Sequence, residues 1–158
     1  MKALVQRVRR ARCVSEGRVT GEIAHGLLVL LGVGLEDRGE EADWLAHKIA
    51  SLRIFADAAQ HMNLDVRQAG GQALVVPQFT LYGDARRGRR PDFTHAAPPE
   101  QAEPLFERFC LALTNDRVVV ARGAFRTRME VELVNDGPVT LMVESPARAV
   151  APQPPNPA

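Results

Sequence analysis

The chain has 158 residues and a formal net charge of +1 at pH 7, with 46% of its residues hydrophobic and 25% charged. A chain of this length forms one compact domain and buries enough surface to exclude a need for a structural metal or disulfide. The near-zero charge excludes overall basicity as a reason to predict a nucleic-acid binder, and the composition is that of a soluble globular protein.

The first third of the chain predicts three strands and a helix. Residues 2–8 and 19–24 alternate loosely between apolar and polar side chains and flank S-E-G-R at 15–18, which favours a β-hairpin. Residues 27–31 have no polar face, which is typical of a strand buried on both sides. Residues 40–52 carry apolar side chains at helical spacing and acidic side chains near their start, which indicates an amphipathic helix.

The remainder predicts a second helix among further strands. A short strand is predicted at 53–56, and an apolar strand at 72–76 ends at Pro77. Residues 98–113 show an apolar stripe with prolines in the first turn, which is the clearest helix signal in the sequence. Three more strands are predicted at 118–121, 129–134 and 139–143.

Elements in this order indicate an α+β domain with largely antiparallel sheets and two main helices. The last two predicted strands are joined by N-D-G-P at 135–138, which from its residues alone is an ordinary hairpin turn. We assign residues 1–145 to the domain. Residues 146–158 are rich in proline and alanine, have no face to bury, and are predicted to form a disordered tail.

The titratable side chains indicate no metal or redox site. Cys13 and Cys110 lie among apolar neighbours without a C-x-x-C spacing, so reduced structural thiols are predicted. The histidines form no ligand pair, and we predict no metal and no cofactor. The start of the chain lacks a signal-peptide pattern, and its longest apolar run, at 27–31, is too short to cross a bilayer. A cytoplasmic protein without a membrane partner is therefore predicted.

The stretch V-V-P-Q-F-T-L at 75–81 is the first candidate site. Pro77 has no amide hydrogen and must lie at a strand end, so the amides of Gln78, Phe79 and Thr80 are predicted to lack ladder partners. Free amides beside a pocket would stabilise an oxyanion. If the backbone stays extended, Gln78 and Thr80 share one face. Thr80 has no acid or histidine close in sequence to activate it as a nucleophile. The alternative is a strand end with a surface Gln and Thr.

An arginine-dense loop follows, and arginine supplies 18 of the 20 basic residues of the chain. Arginine binds phosphate in a bidentate manner, so the loop is a candidate contact for RNA phosphates. The alternative is a solvated surface loop. The candidate side chains are Arg86, Arg87, Arg89 and Arg90.

Several segments together resemble the D-aminoacyl-tRNA deacylase family, the Gly-cisPro editing enzymes. These are the opening K-A-L-V-Q-R-V, the run T-G-E-I-A-H-G-L-L-V-L-L-G-V, A-G-G-Q-A-L-V-V-P-Q-F-T-L, G-R-R-P-D-F and L-V-N-D-G-P-V-T. The family has two signatures, S-Q-F-T-L and N-x-G-P-x-T. Residues 135–140 match the second in full, and residues 77–81 match the first except that Pro77 replaces serine. The resemblance covers residues 1 to about 145.

The resemblance implies a barrel-like core and hydrolysis of the ester that joins a D-amino acid, or mischarged glycine, to the terminal adenosine of tRNA. It implies catalysis by backbone groups at Gln78, Phe79 and Thr80 and by the 2′-hydroxyl of the tRNA, without a protein nucleophile. It also implies a homodimer in which a cis Gly137–Pro138 turn, supported by Asn135 and Thr140, enters the pocket of the partner subunit. The expected partner is charged tRNA, with no role for DNA.

Pro77 leaves alternatives open. A related animal group of deacylases also has proline here, but with alanine in place of Phe79 and with relaxed chiral rejection. Phe79 and the complete N-D-G-P-V-T therefore favour strict D-specificity. The alternatives are a deacylase of relaxed specificity, a non-catalytic RNA-binding module that uses the arginine loop, and a small esterase that does not require RNA.

Overall fold

One long strand organises the sheet of this protein, for which a computed structural model describes residues 1–146. The predicted tail therefore lies, apart from residue 146, outside the described residues. The strands and helices in chain order are β1 (Lys2–Ser15), β2 (Arg18–Ile23), β3 (Gly26–Gly32), α1 (Gly39–Ala50), β4 (Phe55–Ala56), β5 (Met62–Leu64), β6 (Gln72–Pro77), a 3-10 helix (Phe79–Tyr82), α2 (Pro99–Asn115), β7 (Val119–Arg122) and β8 (Met129–Glu144).

Strand β1 pairs antiparallel with three other strands. It pairs with β3 through its first half, with β2 through its second half, and with β8 along almost its whole length. The sheet continues through the parallel pairs β3–β6 and β6–β7. The predicted α+β class with largely antiparallel pairing is therefore confirmed, with a parallel part on one side.

The sheet curves until β2 approaches β7, which gives the predicted barrel-like core. The close approach is visible at Gly21 of β2, where an added Cβ would lie 2.7 Å from the carbonyl oxygen of Arg122 on β7. A side chain at this position would push the two strands apart, so glycine allows the sheet to close.

The two helices pack on the sheet and form the main core. Helix α1 buries Leu45 and Ile49, and α2 buries Phe106, Phe109 and Leu113. These side chains recur at three- and four-residue spacing and meet the apolar side chains of β1, β3 and β6. No helix within residues 1–146 is long and apolar enough to cross a membrane.

The predicted hairpin at 135–138 is wrong. Both flanking segments belong to the single strand β8, and both pair antiparallel with β1. The ladder advances two residues on β1, from Val8 to Gln6, while it advances five on β8, from Asn135 to Thr140. The extra residues leave the ladder as a bulge, because each flank finds its partner in β1 rather than in the other flank.

Other boundaries also differ from the sequence prediction. Strand β1 continues to Ser15 instead of ending at residue 8, because its ladder with β8 shifts register between Val8 and Arg10 and then resumes. This shift interrupts the alternation on which the prediction depended. The short strand at 53–56 is reduced to β4, and its partner β5 was not predicted.

Candidate active site

The segment at 77–81 leaves the sheet at Pro77 and turns at once. Strand β6 ends at Pro77, whose Cα partner is Leu31 of β3. The amide of Gln78 donates to the Leu31 carbonyl at 2.8 Å, so the prediction that this amide is free is wrong. The 3-10 helix begins at Phe79. The extended backbone assumed from sequence is therefore also wrong, because Pro77 ends the ladder and the chain coils directly after it.

The amides of Phe79 and Thr80 differ from that of Gln78. Within residues 1–146 neither donates to an acceptor, and both residues are exposed. The Gln78 side-chain amide donates to Thr80 Oγ1. No carboxylate or imidazole in the described chain hydrogen-bonds to Thr80. This agrees with the sequence, in which no acid or histidine lies close to Thr80. The segment therefore presents two backbone donors, a side-chain amide and an unactivated hydroxyl.

Pro77, Gln78 and Phe79 line a largely apolar cavity of about 760 Å³. Strands β3, β6 and β8, helix α2 and the loop that precedes β8 also contribute to its lining. The remaining lining residues are Leu31, Val33, Val76, Phe93, Ala96, Ala97, Pro99, Ala102, Phe106, Phe125, Arg126, Thr127, Met129 and Val131.

Aromatic rings and one cation distinguish this cavity. Phe79 and Phe93 meet edge to face with ring centroids 5.3 Å apart, and Phe106 and Phe125 form a second, tilted pair at 6.0 Å. Among the described lining residues, Arg126 alone carries a charge. Phe125 and Arg126 were not predicted as site residues. The signal that could have found them is a phenylalanine set between arginines in R-G-A-F-R-T-R.

A second cavity, of about 710 Å³, adjoins the other end of the 3-10 helix. Tyr82 lines it, and its hydroxyl donates to Asp37 Oδ2 at 3.1 Å. Burial, together with the charge of Asp37, raises the pKa of Tyr82 above its ordinary value, so this phenol stays protonated. Lys2, Arg86 and His95 line the same cavity, together with the carboxylates of Asp37 and Asp84.

The four arginines of the loop are not equivalent. Arg86 holds Asp84 with three side-chain hydrogen bonds, the shortest 2.6 Å, and these hydrogen bonds lower the pKa of Asp84. Its charge is therefore compensated within the chain. Arg87, Arg89 and Arg90 are exposed and form no ion pair with any residue of the described chain.

The second motif lies on the bulge of β8. Gly137 and Pro138 are exposed, and the bond between them is cis, as the resemblance implied. The Asn135 side chain donates to the carbonyls of Arg7 at 2.9 Å and Val139 at 3.2 Å. Thr140 Oγ1 accepts from Gln6 at 3.2 Å. Neither Gly137 nor Pro138 lines either cavity, so one chain does not bring its two motif segments together.

A family model described as D-Tyr-tRNA(Tyr) deacylase matches residues 4–144. The chain belongs to this family. The chain is similar to the D-aminoacyl-tRNA deacylase of Symbiobacterium thermophilum, which is 55% identical over 145 residues, 92% of this chain and 96% of the relative. The D-aminoacyl-tRNA deacylase of Anaeromyxobacter dehalogenans is also 55% identical, over 92% of this chain and 97% of its own.

Solved structures share this family fold. One titled "c-Myc DNA Unwinding Element Binding Protein" superposes with a TM-score of 0.86 at 40% identity, over 93% of this chain and 100% of its own. A probable eukaryotic D-amino acid tRNA deacylase superposes with a TM-score of 0.75 at 16% identity, over 90% and 98% of the two chains. At 16% identity, the similarity to this eukaryotic structure shows only that the two chains share a fold.

Proposed function

We propose that this protein is a D-aminoacyl-tRNA deacylase, which hydrolyses the ester between a D-amino acid, or mischarged glycine, and the terminal adenosine of tRNA. The products are free amino acid and tRNA, and the reaction is a chiral proofreading step of translation in the cytoplasm. One observation carries the proposal: the segment with the unpaired amides of Phe79 and Thr80 contributes Pro77, Gln78 and Phe79 to the lining of a cavity of about 760 Å³, in a chain of the deacylase family.

The proposed chemistry uses the backbone. Water adds to the ester carbonyl, the bond to the ribose oxygen breaks, and the proton passes to that oxygen. The amides of Phe79 and Thr80 stabilise the negative charge that develops on the carbonyl oxygen, while the Gln78 side chain holds Thr80 in place. The 2′-hydroxyl of the tRNA assists the reaction. The protein needs no nucleophile, which agrees with the absence of a base at Thr80 in the described chain.

The proposed place of the terminal adenosine is the apolar cavity. Nucleobases stack on aromatic rings and guanidinium groups, and the cavity offers Phe93, Phe125 and Arg126 on its walls. The proposed contacts for the phosphates of the tRNA are the exposed arginines Arg87, Arg89 and Arg90, which precede Phe93 of the cavity in sequence.

The proposed chirality gate is the Gly137–Pro138 segment of a partner subunit. Gly137 has ordinary φ, and an added Cβ would meet only Asn135 Oδ1 at 3.6 Å, which is ordinary van der Waals contact. Packing within the chain therefore gives no reason for glycine here. A reason arises if another molecule approaches this backbone closely, as the pocket of a homodimer partner would.

Deacylation assays separate this proposal from its alternatives. We expect release of D-tyrosine from D-Tyr-tRNA and of glycine from Gly-tRNA, little release of L-tyrosine, and rates that a chelator does not change. A non-catalytic RNA-binding module would release nothing. An esterase would hydrolyse D-tyrosine ethyl ester as well as the charged tRNA, and a deacylase relaxed by Pro77 would release D- and L-tyrosine alike.

Mixing two inactive variants tests the gate in trans. Gly137→Ala should fold normally and lose activity, and Ala96→Trp should lose activity because it fills the cavity. Random exchange of subunits between the two would restore about a quarter of the wild-type sites, since each mixed dimer combines one intact pocket with one intact gate. If the gate acted within its own chain, mixing would restore nothing. Gly34→Ala is the contrasting variant, because its Cβ would lie 2.7 Å from the Tyr82 ring and should destabilise the fold.

A further inference from the structure

We infer that Asp136 is a positioning residue that, through Arg7, fixes the gate loop (residues 135–140) and so sets the discrimination between D- and L-aminoacyl substrates. This inference rests on the function proposed above. The deacylase motif N-x-G-P-x-T leaves the second position open, and this chain fills it with an aspartate.

The gate loop needs anchors because the ladder does not hold it. Between Asn135 and Thr140 no residue of β8 is in register with β1. The side chains of Asn135 and Val139 hold the base of the loop, the first by hydrogen bonds to two carbonyls and the second by burial in the core. Only Gly137 and Pro138 separate Asp136 from buried Val139. Asp136 is therefore the immediate neighbour of the gate residues, and we expect its position to affect theirs.

Arg7 is a rigid partner for Asp136. Its side chain is 13% exposed, and its Nη1 donates to the carbonyl of Ile54 at 2.5 Å, which ties the guanidinium to a segment outside the sheet. Arg7 Nε lies 2.9 Å from Asp136 Oδ2 and has no hydrogen-bond partner with good geometry in the described chain. Asp136 therefore compensates the charge of a largely buried guanidinium. Such a pair is weakly screened, and removing one partner leaves the other uncompensated.

Arg9 contacts the same carboxylate in a different setting, which provides a matched control. Its Nε lies 3.6 Å from Asp136 Oδ1, and its side chain is 76% exposed. An exposed pair at this separation is screened by water and salt and contributes little. The inference therefore requires that Arg7, rather than Arg9, carries the clamp.

The test compares kcat/KM for D-Tyr-tRNA and L-Tyr-tRNA in the wild type, Asp136→Asn, Asp136→Glu and Arg9→Ala. We expect Asp136→Asn to lower the D/L ratio at least about tenfold, Asp136→Glu to recover part of it, and Arg9→Ala to change it less than about threefold. A purely structural loss would lower both rates in proportion and leave the ratio unchanged. An unchanged ratio in folded Asp136→Asn would overturn the inference.

Amide hydrogen exchange tests the clamp without activity. In Asp136→Asn we expect faster exchange at Gly137 and Val139, by at least about tenfold, with β3 and β6 unaffected. Equal exchange in the two proteins would overturn the clamp whatever the assays show. A wild type that releases no D-tyrosine would instead overturn the proposed function, and the exchange data would still decide whether Asp136 fixes the loop.

Discussion

Thr80 carries the only hydroxyl of the segment at 77–81, and its surroundings decide whether it reacts. Its hydroxyl oxygen accepts a hydrogen bond from the side-chain amide of Gln78, and no base of the described chain contacts it. Removing a true nucleophile costs on the order of 10⁴–10⁶ in kcat. We expect Thr80→Ala to lower kcat on D-Tyr-tRNA by less than about 100-fold, comparable to or below the effect of removing one oxyanion donor.

Single-turnover kinetics with D-[14C]Tyr-tRNA would measure this change, with the exposed Thr94→Ala as the control variant. A trapped ester between the amino acid and Thr80 would contradict a backbone mechanism. Loss of all activity in a folded Thr80→Ala would do the same.

At the scale of secondary structure, one ion pair ties α1 to α2. Arg108 donates to Asp43 through Nε at 2.9 Å and Nη2 at 2.6 Å, and these hydrogen bonds lower the pKa of Asp43. A carboxyl with a lower pKa in the folded protein stabilises it above the unfolded pKa of about 3.9, and this contribution disappears as the pH falls through the folded pKa. Both side chains are about half exposed, so screening keeps the effect small.

We therefore expect Asp43→Asn to lower the free energy of unfolding by up to about 1 kcal/mol at pH 7. The difference from the wild type should shrink steadily below about pH 4 as the wild-type carboxylate becomes protonated. Urea unfolding at several pH values measures this, with Glu103→Gln on the exposed side of α2 as the control. A difference that is independent of pH would show that the variant acts through packing rather than charge.

At the scale of the whole molecule, the net charge of +1 conceals a local basic surface. Arg87, Arg89 and Arg90 project without an acidic partner in the described chain, whereas Asp84 compensates Arg86. Each phosphate that a protein no longer neutralises reduces the slope of log affinity against log salt by roughly 0.7–0.9. We expect the triple alanine variant of the three exposed arginines to bind tRNA more weakly and with a shallower slope, and Arg86→Ala to change the slope less.

Fluorescence anisotropy across a range of salt concentrations measures these slopes, and duplex DNA serves as the comparison ligand. An unchanged slope in the triple variant would identify the loop as merely solvated. Tighter binding to duplex DNA than to tRNA at the same salt concentration would contradict RNA as the partner.

Local patterns predicted the elements whose causes are local. The apolar run of β3, the stop of β6 at Pro77 and the apolar stripes of α1 and α2 each follow from a few neighbouring side chains, and all are confirmed. The predicted hairpin at 135–138 failed because a turn sequence does not reveal which strand its flanks will pair with. Phe125 and Arg126 were missed for a similar reason, since folding alone carries the loop before β8 to the end of β6.

The sequence by itself determined the class of fold and, through two motifs in order along the chain, the family. Only the tertiary structure decided that the backbone amide of Gln78 is hydrogen-bonded, whereas those of Phe79 and Thr80 have no acceptor within the described chain. It also decided that the gate loop does not line either of the two cavities described above. The physical reason is that hydrogen-bond partners and cavity walls come from strands distant in sequence. Leu31 lies far before Gln78, and Arg7 and Asp136 come from opposite ends of the domain.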